Sequence, residues 1–278
     1  RVLGLHGHAE GSPGALRHLG AWRGTVADVS AWQDRCVFVT GAGGFLGAHL
    51  TRRLVEAGAK VVCLLRGDRP SSLFRTDKTA DRVERVHGSV DDLPLLTEVL
   101  RKGRVDAVFH LAAQPIVVDA KADPYTTMES NVRGTYCLLE AARRWGGLRS
   151  FVISTSDKVY DATIGSPPHR EDHPLGGDLP YEASKVCADV LARAYAKSYG
   201  IPVGVARCGN LYGPGDLQWS RIVPGTIRSL LAGERPVVRG DGRSIRDYFY
   251  VEDAAEALLS LGVALGREDV LGVAFNFG

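Results

Sequence analysis

Short apolar runs alternate with longer stretches of mixed polarity from residue 36 to about residue 207. The runs are rich in β-branched residues and predict buried strands at 36–40, 60–65, 83–87, 105–110, 150–155 and 201–207. The intervening stretches predict helices, chiefly at 45–57, 92–101, 124–145 and 181–199. Each connection is long enough for the crossover that parallel strands need. The pattern therefore predicts an α/β fold, a doubly wound parallel sheet of the Rossmann type.

The pattern is weaker at both ends of the chain. Residues 1–34 are rich in glycine and alanine and predict an N-terminal extension without an assigned role. After residue 207, turn residues precede a predicted helix at about 221–232, and residues 274–278 resemble a strand. We expect residues 35–207 to form the main domain. Residues 208–278 would form most of a smaller lobe, incomplete at its C-terminus, with part of the chain returning to the main domain.

Composition and charge exclude several classes of partner. The chain has 278 residues, is 45% hydrophobic and carries a formal net charge of +2, so it offers no long-range attraction to nucleic acid or an anionic membrane. No apolar run approaches the roughly 20 residues of a membrane span. The five cysteines are widely spaced without a CxxC pair, which favours a reducing, cytoplasmic setting. His6 and His8 lack further ligands, so no metal is expected.

A glycine-rich loop, Thr40-Gly-Ala-Gly-Gly-Phe-Leu-Gly47, joins the first predicted strand to the first helix. Glycines at such spacing allow a tight turn, close approach of the backbone to a pyrophosphate and close packing of helix on strand. An ordinary strand-to-helix turn is the alternative, but the flanking strand, helix and crossover all favour dinucleotide binding. The predicted cofactor contacts are Gly41, Gly44, Phe45, Leu46 and Gly47.

The residue after the second strand bears on cofactor choice. An acid there accepts a hydrogen bond from the ribose of NAD, whereas an arginine meets the 2′-phosphate of NADP. This chain has Arg66, which can contact that phosphate, stack on the adenine or remain solvated. Arg66 alone therefore does not decide between NAD and NADP as the cofactor.

A tyrosine and a lysine four residues apart, Tyr181 and Lys185, lie on one face of a predicted helix. A free tyrosine has a pKa of about 10, so a tyrosine that acts as a base near neutrality needs a positive charge beside it. Lys185 is spaced to supply that charge, and Ser156 at the end of a strand can hydrogen-bond the same substrate hydroxyl. Together they predict proton removal coupled to hydride transfer.

Asp157 and Lys158 follow Ser156 directly. An acid and a base side by side can protonate a leaving hydroxyl and withdraw a neighbouring C–H proton, the two halves of a water elimination. A surface salt bridge is the alternative interpretation. The five predicted catalytic residues are thus Ser156, Asp157, Lys158, Tyr181 and Lys185.

Several ordered motifs accompany these residues. They include His110-Leu-Ala-Ala113, Asn131-Val-Arg-Gly-Thr135, Arg207-Cys-Gly-Asn-Leu-Tyr-Gly213 and Arg246-Asp-Tyr-Phe-Tyr-Val-Glu-Asp253. With the glycine loop and the Tyr-Lys pair, the chain from about residue 31 to residue 278 resembles the extended short-chain dehydrogenase/reductase family, in particular its nucleotide-sugar epimerases and dehydratases. Such proteins bind NAD or NADP on a Rossmann fold and a nucleotide sugar in a smaller lobe.

Within that family, some motifs are most similar to CDP-glucose 4,6-dehydratases. They are Ala31-Trp-Gln-Asp34, His110-Leu-Ala-Ala-Gln-Pro115, Ser154-Thr-Ser-Asp-Lys158 and Arg221-Ile-Val-Pro224. The glycine loop instead follows the general family version, Tyr212-Gly-Pro-Gly215 looks more like epimerases and other dehydratases, and Arg66 resembles GDP-mannose dehydratases, which use NADP. The resemblance favours NAD, with NADP possible because of Arg66.

The resemblance implies a lyase of deoxysugar biosynthesis acting on a CDP-glucose-like substrate. Hydride would leave C4, water would be eliminated across C5 and C6, and hydride would return to C6 to give a 4-keto-6-deoxy sugar. The alternatives are a nucleotide-sugar 4-epimerase, a GDP- or dTDP-sugar dehydratase, and a non-catalytic NAD(P)-binding regulator.

The resemblance also assigns binding residues and an assembly. Cofactor contacts would include Arg66, Val90, Leu111, Ala112, Ala113, Tyr181 and Lys185. Substrate contacts would include Gln114, Asn131, Asn210, Arg221 and Arg246, with the arginines gripping the diphosphate. The helices near 124–145 and 181–199 would form the interface of a homodimer.

Overall fold

The computed structural model describes residues 29–165, 168–238, 241–243 and 245–278. The first 28 residues, with His6 and His8, lie outside this range. The strands are β1 (Cys36–Thr40), β2 (Lys60–Leu65), β3 (Glu84–His87), β4 (Ala107–His110), β5 (Ser150–Ser154), β6 (Val203–Cys208), β7 (Asn210–Tyr212), β8 (Tyr248–Tyr250) and β9 (Ala274–Phe277). The α-helices are α1 (Phe45–Glu56), α2 (Leu73–Thr76), α3 (Leu93–Lys102), α4 (Val117–Ala122), α5 (Pro124–Met128), α6 (Gly134–Trp145), α7 (Pro180–Tyr199), α8 (Ile222–Leu231) and α9 (Val251–Ala264).

Seven strands form one parallel sheet in the order β3-β2-β1-β4-β5-β6-β9. The predicted doubly wound Rossmann fold is therefore confirmed. From β1 the chain builds the sheet outward in one direction through β2 and β3, then returns to build it in the other direction from β4. The carboxyl ends of β1 and β4 border the crevice where such sheets bind ligands.

Alternate residues of the strands face opposite layers of core. Along β1, Val37 and Val39 belong to one apolar cluster and Phe38 to the other, and all three are fully buried. Helices α1 and α9 pack together over the first face, while α3, α6 and α7 pack together over the second. Burial on both faces explains why the strand sequences read as continuous apolar runs instead of strict alternation.

Two features of the helices that cover the sheet were not visible in the sequence pattern. Helix α9 was not predicted, although Leu258 and Leu259 on it are fully buried against the first face. The helical stretch predicted at about 124–145 is confirmed, and a π-helical turn at Glu129–Arg133 lies within it between α5 and α6. Single π-turns of this kind are frequent at functional sites, since they re-aim side chains within a helix.

The last residues of the predicted extension enter the core. Val29–Trp32 forms a 3-10 turn, and the Trp32 side chain is 0% exposed with its ring centroid 5.4 Å from that of Phe109. A Cβ on Gly262 of α9 would lie 2.8 Å from the Trp32 ring, so the helix approaches the indole as closely as a glycine permits. Trp32 thus fastens α9 to the sheet.

The region after β6 is built from smaller pieces. Strands β7 and β8 pair in parallel as a separate two-stranded sheet, and α8 lies between them in the chain. Several apolar side chains of this region are exposed: Leu217, Trp219, Ile222, Ile227, Leu230, Leu231, Val237, Val238 and Ile245. Within the described residues, no helix combines the length and apolar character needed to cross a membrane.

Candidate active site

The glycine loop makes a tight turn between β1 and α1. Gly41 has φ of +80°, a backbone conformation that favours glycine, and a Cβ there would lie 2.7 Å from the backbone nitrogen of Ala112. A Cβ on Gly47 would collide with the carbonyl oxygen of Gly41. Both glycines are required by the protein's own packing. Gly43 differs, because a Cβ there would meet no protein atom within 4 Å.

The start of α1 suits a pyrophosphate. Gly44 occupies the N-cap position and supplies no side-chain acceptor, so the first-turn N–H groups of the 12-residue helix keep their capacity to bind an anion. Phe45 and Leu46 begin the helix and are half-buried. The open space beside Gly43 and the uncapped helix end fit a dinucleotide, whose diphosphate Gly41, Gly43 and Gly44 would hold through backbone contacts.

Leu111 and Ala112, two other predicted cofactor residues, follow β4 at the same edge of the sheet. The backbone N–H groups of Leu111 and Ala112 donate to the carbonyl and hydroxyl oxygens of Thr40, which joins the end of β4 to the end of β1. Val90 packs so closely on Gly134 that a Cβ on this glycine would collide with the valine side chain. Ala113 continues the strand-end segment and is half-buried.

Arg66 directly follows β2 and is exposed. The nearest acid, Asp68, is exposed as well and pairs with Arg75 at 3.4 Å. The positions of Arg66 and Asp68 after β2 agree with a role beside the ribose of a dinucleotide. A contact of Arg66 with a 2′-phosphate stays a prediction.

The structure brings Ser156, Tyr181 and Lys185 together at the carboxyl edge of β5. Ser156 is 7% exposed, two residues beyond the strand, while Tyr181 and Lys185 lie on the first turns of α7 with 8% and 7% exposure. The Lys185 ammonium donates to the carbonyl oxygen of Ser154 at 3.2 Å. The helical spacing of four residues thus places both side chains of α7 against one strand end.

Burial opposes the charged forms of both residues. It raises the pKa of Tyr181 to about 12, against the lowering effects of a hydrogen bond with Ser156 and of the Arg221 guanidinium. Burial also lowers the pKa of Lys185 to about 8. A phenolate at residue 181 therefore needs more positive charge than the protein alone provides, and an oxidised nicotinamide is a cation that would add it.

Asp157 lies beside the same group. The Ser156 hydroxyl donates to Asp157 Oδ1 at 2.9 Å, and the Lys158 backbone N–H donates to the same hydroxyl at 3.2 Å. The Asp157 charge raises the pKa of Tyr181. Asp157 and Lys158 are both half-buried. Among the described residues they form no ion pair with each other, which argues against the salt-bridge alternative.

His110 is a buried member of the site to which sequence reasoning gave no role. Its ring nitrogens are hydrogen-bonded to Thr40 Oγ1 at 2.8 Å and Thr135 Oγ1 at 3.0 Å. Burial and the nearby Lys185 lower its pKa to about 3, so the imidazole is neutral and adds no competing charge. The sequence shows the motifs that contain His110 and Thr135. The contact between these two residues, which lie 25 positions apart, could be found only in the folded structure.

Asn131 lies in the π-helical turn and is 2% exposed. Its Oδ1 accepts from the Gln114 backbone N–H at 2.7 Å, while its Nδ2 donates to the Gln114 carbonyl at 3.1 Å and to Ser184 Oγ at 2.9 Å. Asn131 therefore braces the segment after β4 against α7. Gln114 directs its own side chain to the Ile116 N–H at 2.9 Å. Direct substrate contacts of both residues stay predictions.

The predicted diphosphate residues lie in the region after β6. Arg221 precedes α8 and pairs at 3.3 Å with Asp216, whose side chain is only 4% exposed. Asn210 donates weakly, at 3.4 Å, to the carbonyl of Asp247, the residue after exposed Arg246. Arg221 lies within electrostatic reach of Tyr181, which links the lobe to the catalytic group.

Comparison with known proteins agrees with this geometry. The model of the NAD dependent epimerase/dehydratase family matches residues 37–272. The chain belongs to this family. It is 33% identical over 268 residues to a CDP-glucose 4,6-dehydratase of Salmonella typhimurium, covering 91% of this chain and 73% of the relative. It is 34% identical to a dTDP-glucose 4,6-dehydratase of Mycolicibacterium smegmatis, covering 85% of this chain and 72% of the relative.

Solved structures point to the same family. A dTDP-glucose 4,6-dehydratase from Streptomyces venezuelae with NAD and TYD bound aligns with a TM-score of 0.76 and 32% identity, covering 87% of this chain and 75% of that one. A UDP-glucose 4-epimerase from Thermotoga maritima with UDP-glucose aligns with a TM-score of 0.78 and 27% identity, covering 87% and 76%. Three predictions are confirmed: the family, the similarity to dehydratases and NAD as the cofactor.

Proposed function

We propose that this protein is an NAD-dependent nucleotide-sugar 4,6-dehydratase acting on a CDP-glucose-like substrate. The observation that carries the proposal is Asp157, a half-buried acid that accepts a hydrogen bond from the Ser156 hydroxyl and whose charge raises the pKa of Tyr181. A 4-epimerase needs hydride transfer and a base at C4, but it has no step that expels water. The dehydratase relatives of two nucleotide classes support the same reaction.

Gly41, Gly43 and Gly44 would hold the NAD diphosphate, and the bound cofactor would supply the acceptor for the C4 hydride and the donor for C6. Tyr181 receives the proton of the C4 hydroxyl, and Ser156 orients that hydroxyl. The resulting ketone at C4 makes the C5–H bond acidic enough for a side-chain base. Lys158 takes the C5 proton while Asp157 protonates the departing C6 hydroxyl, and Lys158 then gives a proton back to C5.

The smaller lobe would bind the nucleotide diphosphate. Arg221 is already oriented by the buried carboxylate of Asp216, and Arg246 is exposed and paired with no carboxylate among the described residues. A guanidinium can grip phosphate oxygens through two parallel hydrogen bonds. We assign residues 35–207 to dinucleotide binding and most of 208–278 to substrate binding, with β9 completing the parallel sheet and α9 packing on one of its faces.

We further propose a cytoplasmic homodimer. All five cysteines are free thiols, in keeping with a reducing compartment. The outer surfaces of α4 to α7 expose Val118, Tyr125, Tyr136 and Val190 by 40% to 74%, which favours an interface there. Tyr125→Glu should shift the mass in solution from dimer to monomer in light scattering, and a wild-type monomer would reject this assembly.

The decisive assay supplies CDP-glucose, dTDP-glucose, GDP-mannose and UDP-glucose separately with NAD. We expect a 4-keto-6-deoxy product, detected by its absorbance in alkali, with CDP-glucose giving the highest kcat/KM. An epimerised sugar with no such absorbance would favour the 4-epimerase. Tyr181→Phe should lose about 10³-fold in kcat and keep NAD affinity. Wild type that binds NAD but turns over no sugar would favour a regulator.

A further inference from the structure

The proposed chemistry is divided between two elements of the fold. Tyr181 and Lys185 lie on α7, whereas Asp157 and Lys158 lie in the 3-10 turn Asp157–Val159. This turn follows β5 and lies outside the paired residues of the sheet. Both pairs of residues must address one sugar, because the C5–H bond that is broken adjoins the C4 carbon that is oxidised. A contact that joins the turn to the helix would therefore serve the reaction.

Arg207, the next-to-last residue of β6, carries a buried charge that the proposed mechanism does not use. Its side chain is 1% exposed, and its Nε and Nη2 donate to Asp189 Oδ2 and Oδ1 at 2.8 and 3.1 Å. Asp189 is fully buried and follows Tyr181 and Lys185 in steps of four residues, so all three lie on one face of α7. The bidentate pair thus fixes the guanidinium to the helix face that carries the proposed hydride-transfer residues.

The remaining nitrogen of the guanidinium reaches the chain beside the turn. Arg207 Nη1 donates to Tyr160 Oη at 2.9 Å and to the Glu171 carbonyl at 3.0 Å. Tyr160 directly follows the turn Asp157–Val159, and its phenol in turn donates to Asn276 Oδ1 on β9. The guanidinium carbon also lies 5.1 Å from the centroid of the Tyr160 ring, a favourable position for a cation. Arg207 therefore joins the end of the turn to α7.

The physical chemistry of this contact favours a geometric role. A buried ion pair often stabilises a fold no more than apolar residues of the same shape would, because loss of hydration offsets the attraction of the charges. Its geometry is nevertheless well defined, since four guanidinium N–H groups of Arg207 point at fixed acceptors. A lysine ammonium could not reproduce that planar fork.

We propose that Arg207 is a positioning residue, which acts through Tyr160 to hold the Asp157–Val159 turn in register with α7. The groups proposed to eliminate water would thereby stay aligned with the groups proposed to remove hydride and proton at C4. This role rests on the proposed dehydratase function. It requires no contact between Arg207 and the sugar.

The test separates the two chemical steps in Tyr160→Phe, which removes only the hydroxyl between Arg207 and Asn276. Rapid mixing with NAD and whichever of the four nucleotide sugars gives product should show reduced nicotinamide forming at the wild-type rate, because C4 oxidation does not depend on the turn. We expect kcat to fall about tenfold through misalignment of the turn. Deuterium at C5 of the sugar should slow turnover more than in wild type, because cleavage of the C5–H bond becomes the slowest step.

Two further variants and one measurement without ligands complete the test. Arg207→Lys should show the same pattern with a larger fall in kcat, since lysine cannot bridge both partners. Tyr199→Phe removes a tyrosine hydroxyl from the last turn of α7, where the residue is 57% exposed, and should change neither rate nor isotope effect. In the free protein, hydrogen exchange over residues 157–161 should be faster in Tyr160→Phe than in Tyr199→Phe.

The outcomes distinguish the positioning role from the proposed function. Equal slowing of C4 oxidation and of product formation in Tyr160→Phe would indicate a general structural defect and overturn the positioning role. An unchanged isotope effect or unchanged hydrogen exchange in Tyr160→Phe would overturn it as well, while the dehydratase proposal stands. Absence of product from the wild-type protein with all four nucleotide sugars would instead overturn the proposed function.

Discussion

The parallel sheet and the region after β6, the proposed smaller lobe, position their proposed functional groups in different ways. Ser156, Tyr181 and Lys185 are nearly buried and are held by strand ends and a 20-residue helix. Arg246 is exposed on a connecting segment, and α8 beside Arg221 exposes most of its apolar side chains. The groups proposed to do chemistry are thus fixed before substrate arrives, whereas those proposed to grip the diphosphate have much less protein around them.

The largest difference between the regions should appear in stability. Trp32→Ala removes a fully buried indole that joins α9 to the sheet, so we expect a loss of about 3–5 kcal/mol in the free energy of unfolding. Leu231→Ala in the lobe is the matched control, because Leu231 is 84% exposed and its loss should change stability by at most about 0.5 kcal/mol. Urea denaturation measures both. Equal losses would mean that the exposed face of α8 is covered in solution.

Substitutions at two glycines of the same loop should distinguish effects on protein packing from effects on cofactor binding. Gly47→Ala introduces a collision with the Gly41 carbonyl and should cost roughly 1–3 kcal/mol of stability as well as NAD affinity. Gly43→Ala enters space free of protein atoms, so stability should hold while NAD affinity falls about tenfold. Calorimetry with NAD and thermal unfolding without it distinguish the two effects. Unchanged NAD affinity in Gly43→Ala would place the diphosphate elsewhere.

Lys185 makes the sheet domain sensitive to pH. Burial lowers its pKa from 10.5 to about 8, so between pH 8 and pH 10.5 the unfolded chain holds the proton that the folded protein has released. The contribution of Lys185 to stability therefore rises with pH across that window. Lys185→Met should be more stable than wild type at pH 7, and the difference should shrink by pH 10. A difference independent of pH would show that Lys185 is better hydrated than its 7% exposure indicates.

The smallest effect on function is expected from a substitution that loosens the orientation of the Arg221 side chain. Asp216→Asn weakens the pair at 3.3 Å without removing the hydrogen-bonding shape of the side chain, so KM for the nucleotide sugar should rise about tenfold with kcat nearly constant. Asp269→Asn, at an exposed pair with Arg267, is the control and should change neither constant. A fall in kcat at constant KM would assign Arg221 to Tyr181 rather than to the diphosphate.

Sequence patterns predicted the strands near the site better than the elements that complete the fold. The proposed catalytic residues Tyr181 and Lys185 and the glycine loop were readable because each depends on local spacing within one helix or one turn. Helix α9 was missed, and the π-turn at Asn131 is invisible to a 3.6-residue period because it inserts one residue into an otherwise regular helix. Strands β7 and β8 are three residues each, too short to show a period.

Hydrophobic period and short-range geometry were enough to predict the parallel sheet, the glycine loop and the residue types of the proposed catalytic group. The folded chain was needed to show that His110 bridges Thr40 and Thr135 and that Asn131 braces Gln114. It was also needed to show that Lys185 reaches the carbonyl of Ser154. Most of these contacts connect segments far apart in the chain, and all depend on which buried donor meets which acceptor. That choice is made when the strands align and exclude water, because a buried polar group without a partner is costly.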